Sequence, residues 1–235
     1  MTVIIAFLTV LGAVAVWWLS RQRLAAKPWL EASPAGSFPD REAVAWPAAK
    51  LGLCMFLAVA GSLFAVLISA YSLRMRAADW SSLPGTGLLW INTWLLVLSS
   101  LALQWAVVAV QRRDTTRAAA GLGVGGVSAL LFLGGQLLVW RQLNAGGFYA
   151  ESHPASAFFY LITAIHGLHL AGGMLALGRV GARVSMADGD AENVRLSVEL
   201  CALYWHFLLV VWLLVCGILV LGPWAEWLYA ICFGT

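Results

Sequence analysis

Long apolar runs separated by short polar connections recur along most of the chain. Six of them, at about 2–19, 51–73, 88–110, 118–140, 155–178 and 196–222, have the length of a membrane span. A hydrocarbon core of about 30 Å, crossed at about 1.5 Å per residue, calls for roughly 20 apolar residues. Lipid offers no partner for backbone N–H and C=O groups, so such runs must satisfy their hydrogen bonds internally, as helices do. The pattern predicts an all-α, polytopic transmembrane bundle of six helices.

The rhythm breaks between the first and second spans. Pro28, Pro34, Pro39 and Pro47 stand there among mixed charges, the composition of a linker. The expected organisation is an extra N-terminal helix at 1–20, a cytoplasmic linker at 21–49, a five-helix bundle at 50–222 and an outer-face tail at 223–235. The first helix either packs on a partner or folds back onto the bundle. Trp224, Trp227, Tyr229 and Phe233 in the tail suit the membrane interface. Within the fourth span, Gly121 and Gly125 form a small-x-x-x-small pair that lets a helix or a lipid tail approach closely.

Composition agrees with this picture. Of 235 residues 62% are hydrophobic, 11% charged and 13 are tryptophan, whereas soluble domains carry about 25% charged residues. Basic residues are distributed unevenly. The first, third and fifth connections hold Arg21, Arg23, Lys27, Arg41 and Lys50, then Arg112, Arg113 and Arg117, then Arg179, Arg183 and Arg195. The second and fourth hold only Arg74, Arg76 and Arg141. By the positive-inside rule the odd connections are cytoplasmic and both termini are outside. The same asymmetry accounts for the net charge of +3 and leaves no patch for nucleic acid. The first run lacks a basic residue ahead of it, so it is expected to be a retained helix rather than a secretory signal. Cys54, Cys201, Cys216 and Cys232 show no metal-binding spacing and are expected to serve as small hydrophobes.

Candidate chemistry lies in two spans that keep histidine far from their ends. His166 is about eleven residues beyond Ala155 and His206 about eleven beyond Arg195, which puts each roughly 16 Å from a membrane face. His169 follows His166 by one turn, and Glu199 and Tyr204 precede His206. Together His166, His169, Glu199, Tyr204 and His206 define a possible buried polar seam on facing helices. Three readings are open. Paired imidazoles can ligate haem; a polar stripe can carry protons or ions; and histidines can simply hydrogen-bond across helices.

The surrounding residues resemble a known family. Phe158 to His169, with its His166-Gly167-Leu168-His169 core, and Glu199 to Trp212, with Tyr204-Trp205-His206-Phe207, are similar to the signature helices of the subunit III family of haem–copper cytochrome oxidases. Lys50-Leu51-Gly52, Ile68-Ser69-Ala70-Tyr71, Asn92-Thr93, Ser99-Ser100, Gln136 and Trp140 extend the likeness, in order, from about Ala45 to Leu221. The resemblance implies an accessory subunit of a respiratory cytochrome c oxidase in a bacterial cytoplasmic membrane. Such a subunit has no catalytic residue and no metal or other redox centre of its own. It packs on the catalytic haem–copper subunit I and neighbouring subunits, binds phospholipid and sustains the enzyme during turnover. Haem and copper are expected in the partner subunits. Gly121, Gly125, Trp140, Trp205 and Trp212 are the lipid-contact candidates.

The chain departs from the family where membrane-buried acids are common. Ala60, Val139 and Leu209 stand at those positions. A carboxylate proton path is therefore disfavoured, and the histidines are expected to be structural. Two alternatives stay open: a subunit III-like chain of a nitric oxide reductase or other respiratory supercomplex, and a haem b anchor held by His166 and His206.

Overall fold

The computed structural model describes residues 48–75, 80, 87–186 and 191–233, with side chains described as far as residue 219. The first predicted span and the linker up to residue 47 lie outside the described residues, as do the side chains of Trp224, Trp227, Tyr229 and Phe233. The described elements are α1 (Ala48–Arg74), α2 (Leu88–Gln111), α3 (Thr115–Ala145), α4 (Pro154–Met186) and α5 (Ala191–Phe233). No strand occurs among the described residues. All five helices are long and apolar enough to cross a membrane.

Several helices outrun their apolar windows because local chemistry, rather than hydropathy, sets their ends. At the close of α2, Arg113 N–H donates to the Val110 carbonyl and Asp114 N–H to the Ala109 carbonyl, both at 3.0 Å, while Arg113 takes φ 59°. This left-handed cap is usually made by glycine. Asp114 then opens α3, its side chain accepting from Arg117 N–H at 3.0 Å, an N-cap that satisfies an otherwise orphaned donor. The far end of α3 repeats the cap with glycine itself: Gly147, at φ 83°, donates to Asn144 O, and Phe148 donates to Leu143 O. Pro154 occupies the first turn of α4, where its missing N–H costs nothing.

Helices α2, α3, α4 and α5 form a ring in which each packs on its sequence neighbour and α5 closes back on α2. The core of this ring is built on Leu96, Leu103, Phe132, Leu170, Trp205, Leu208 and Trp212. α1 stands outside the ring, packed mainly against α4 and α5. It contributes Phe64 and Tyr71 to a second cluster with Ile162, Val211 and Val215. Its outward positions, among them Met55, Val59 and Val66, are exposed, as suits lipid.

Candidate functional site in the polar interior

The structure distributes the five residues of the expected seam among three places. His166 is 0% exposed, and its imidazole lies among Phe64, Phe132 and Trp212, with ring centroids 6.2, 5.8 and 5.2 Å away. Neither ring nitrogen has a hydrogen-bond partner among the described residues. His169, one turn on, donates from Nδ1 to the Ile165 carbonyl at 2.8 Å. Its own carbonyl accepts from the Tyr204 hydroxyl at 2.7 Å, which ties α4 to α5. His166, His169 and Tyr204 thus share one neighbourhood beneath the rings of Phe64 and Phe56.

His206 turns elsewhere. Its Nδ1 meets Ser100 Oγ, and its Nε2 lies 3.0 Å from Gln104 Oε1, both on α2. With the proton on Nε2, the ring accepts from the serine and donates to the amide. Similar distances from the helix ends do not bring His166 and His206 together, because they say nothing of a residue's angle around its helix; the His166 ring meets Trp212 of α5 instead. Glu199 sits at the end of the bundle where α1 and α5 begin and α2 finishes. Arg195 reaches its carboxylate at 2.8 Å, Gln111 at 3.4 Å and Lys50 at 3.9 Å.

The ring's interior holds further polar pairs outside the expected seam, two of them made by Trp140 and Trp212, which the sequence put forward for lipid contact. Asn92 Nδ2 donates to Gln136 Oε1 at 3.3 Å, joining α2 to α3. Ser99 Oγ donates to the Gly125 carbonyl at 2.7 Å. Trp212 Nε1 donates to Thr93 Oγ1 at 3.0 Å, and Trp140 Nε1 to Thr163 Oγ1 at 3.1 Å. Each such bond between transmembrane helices contributes about 1 kcal/mol. The legible signal was the presence of Asn, Gln, Ser and Thr within long apolar runs, where a polar group needs a partner.

Four of the five lipid-contact candidates are corrected by their surroundings. A Cβ on Gly121 would lie 2.9 Å from both the Ala102 carbonyl and the Ala106 Cβ, and one on Gly125 would lie 3.1 Å from Leu103 Cγ. Both glycines therefore serve the α2–α3 crossing. Trp205 and Trp212 are wholly enclosed in the ring. Small residues and tryptophans look alike in sequence whether they face a helix or a lipid. Trp140 is half-buried and committed through its N–H.

A groove of about 600 Å³ opens between α1, α4 and α5, lined by Leu53, Phe56, Leu168, His169, Gly172, Gly173, Ala176, Ser197 and Tyr204 among others. Gly173 admits Tyr204 there: an added Cβ would collide with the Tyr204 ring. At the positions of the missing acids, Ala60 and Val139 are buried and Leu209 is half-buried. No group of three or more metal-ligating side chains comes together among the described residues.

Comparison with known proteins bears on the same stretch. The family model described as cytochrome c oxidase subunit III matches residues 48–224. The cytochrome c oxidase subunit 3 of Synechocystis is 27% identical over 172 residues, covering 69% of this chain and 70% of that protein. That of Thermostichus vulcanus is 27% identical over 168 residues, covering 70% and 82%. The cytochrome bo(3) ubiquinol oxidase subunit 3 of Pseudomonas aeruginosa is 26% identical over 162 residues, covering 69% and 76%. The match takes in α1 to α4 and α5 as far as residue 224, so the chain belongs to the cytochrome c oxidase subunit III family.

Proposed function

We propose that this chain is the non-redox accessory subunit of a bacterial respiratory oxidase. It packs on the haem–copper catalytic subunit, holds phospholipid and prolongs the working life of the enzyme. The observation that carries the reading is how the bundle spends its histidines. His166 is packed among aromatic rings and His206 is bracketed by Ser100 and Gln104, so the two do not face each other across a space that a haem would fill. This favours architecture over ligation. Haem and copper belong to the partner subunits, and the redox chemistry with them.

The lipid reading moves from the enclosed glycines and tryptophans to the groove between α1, α4 and α5. Its walls are mostly aliphatic and aromatic, which suits an acyl chain. Lys50 and Arg195, beside Glu199 at that end of the bundle, offer positive charge to a headgroup. The same end carries the Arg112, Arg113 and Arg117 turn, which supports a cytoplasmic placement for it and an outer placement for the termini.

Affinity purification of the tagged full-length chain in mild detergent tests the reading. The expected result is co-isolation of a subunit with a reduced-minus-oxidised haem spectrum and copper. Enzyme stripped of this chain should begin oxygen reduction at the normal rate and inactivate sooner. A partner bearing non-haem iron would assign the chain to a nitric oxide reductase. A haem band carried by the isolated chain and lost in His166→Ala or His206→Ala would replace the accessory role by a haem anchor.

A further inference from the structure

The exposed face of α2 differs from the other outward faces. Trp90, Trp94, Leu98, Leu101 and Trp105 follow one another along it, with Trp94 70% exposed. Gln104 is exposed on the same face, about seven residues, or roughly 10 Å, inside the end of the helix, well within the hydrocarbon. Exposed Ser62 on α1 satisfies itself on its own helix through the Val59 carbonyl at 2.8 Å. Gln104 has no such recourse. Its oxygen serves His206 Nε2, and its amide N–H groups have no partner among the described residues. If the histidine tautomer and amide orientation are reversed, the amide carbonyl is left over instead. Either way a strong hydrogen-bonding group points outward at a depth where acyl chains offer neither donor nor acceptor, which costs several kcal/mol unless a partner is supplied.

We propose that this face of α2, centred on Gln104 where it meets His206 and Ser100, is the seat of a transmembrane helix of the haem–copper catalytic subunit bearing a hydrogen-bonding side chain at that depth. The proposal rests on the accessory-subunit reading and adds the surface by which the chain docks. Hydrogen-bond complementarity selects a protein occupant over lipid. Trp105 beside Gln104, with Trp94 and Trp90 farther along the same face, provides the large, rigid contact area favoured at interfaces. His206, bonded to Gln104 and Ser100, holds the amide in place and is a positioning residue.

A photo-reactive benzophenone side chain at Leu101, on the same face and with Gln104 retained, tests the seat in native membranes. The same group at Val127 on the outward side of α3 serves as control. The expected result is an adduct with the catalytic subunit from position 101 and only lipid adducts from position 127. In the purified complex, Gln104→Leu should lower retention of this chain about fivefold on detergent challenge, the effect of one interhelical hydrogen bond. Gln104→Asn should be intermediate, and because leucine also orphans His206 Nε2, the loss of retention in the complex should exceed the loss of stability that the same substitution causes in the isolated chain. An adduct with a second copy of this chain, or with lipid alone, overturns the proposal while co-isolation of the oxidase preserves the accessory reading. Failure of any haem–copper subunit to co-isolate overturns both.

Discussion

His166 is a polar ring with apolar company, and its substitution should separate packing from hydrogen bonding. Because both ring nitrogens lack partners among the described residues, replacing the ring by an apolar side chain removes a desolvated polar group without orphaning another. His166→Leu should therefore change the thermal midpoint of the detergent-solubilised complex little, about 1 kcal/mol or less. Trp212→Phe should do more harm despite the smaller chemical change. It deletes the N–H that reaches Thr93 Oγ1 at 3.0 Å and leaves space in a wholly enclosed site, at about 1–3 kcal/mol. A large loss at His166 in the same assay would show that the imidazole has a partner of its own. Sequence alone marked both residues as special but could not rank them, since identity and depth do not say which neighbour a ring meets.

The α2–α3 pair is where single atoms decide how two helices meet. Gly121→Ala would press a methyl against the Ala102 carbonyl and Ala106 Cβ, backbone-proximal atoms that cannot rotate away, so a loss of about 1–3 kcal/mol is expected from the strain of overpacking. Gly123→Ala, two residues on, meets nothing within 4 Å and should be neutral or slightly stabilising. Thermal unfolding of the two variants side by side distinguishes a helix contact from a general need for glycine. At the turn, Arg113 holds a left-handed conformation at φ 59° that costs a side chain about 1 kcal/mol relative to glycine. Arg113→Gly should raise the midpoint accordingly. The helices and their order were legible because 20-residue apolar runs leave lipid-embedded chains no other structure. The left-handed arginine was not, because glycine is the usual signal for that cap and here it is absent. Nor was the role of Gly121 and Gly125, whose spacing fits a helix or a lipid equally well.

At the scale of the whole molecule, the groove between α1, α4 and α5 is the element most open to test. Ala176→Phe projects bulk into it from α4 without touching the ring's enclosed core. Mass spectrometry of lipids released from the purified complex should show less retained phospholipid, with the catalytic subunit still present. Unchanged lipid content would place the bound lipid elsewhere. The resemblance read from His166-Gly167-Leu168-His169 and Tyr204-Trp205-His206-Phe207 led to the right family, because those runs lie at the meeting of α4 and α5 and are constrained by close packing there. The partition of their histidines between separate neighbourhoods depends on rotation of α4 and α5 about their axes, which no linear spacing encodes.

The position of α1 outside the ring has a kinetic consequence. Its contacts with α4 and α5 include the floor of the groove, while the four ring helices close on one another without it. α1 is therefore expected to open as a separate cooperative unit, at a cost below that of unfolding the ring. In hydrogen–deuterium exchange of the micelle-bound complex, its amides should open together and before those of α2 and α3. Lipid exchange into the groove should follow the same opening rate, making α1 the door of the groove it lines.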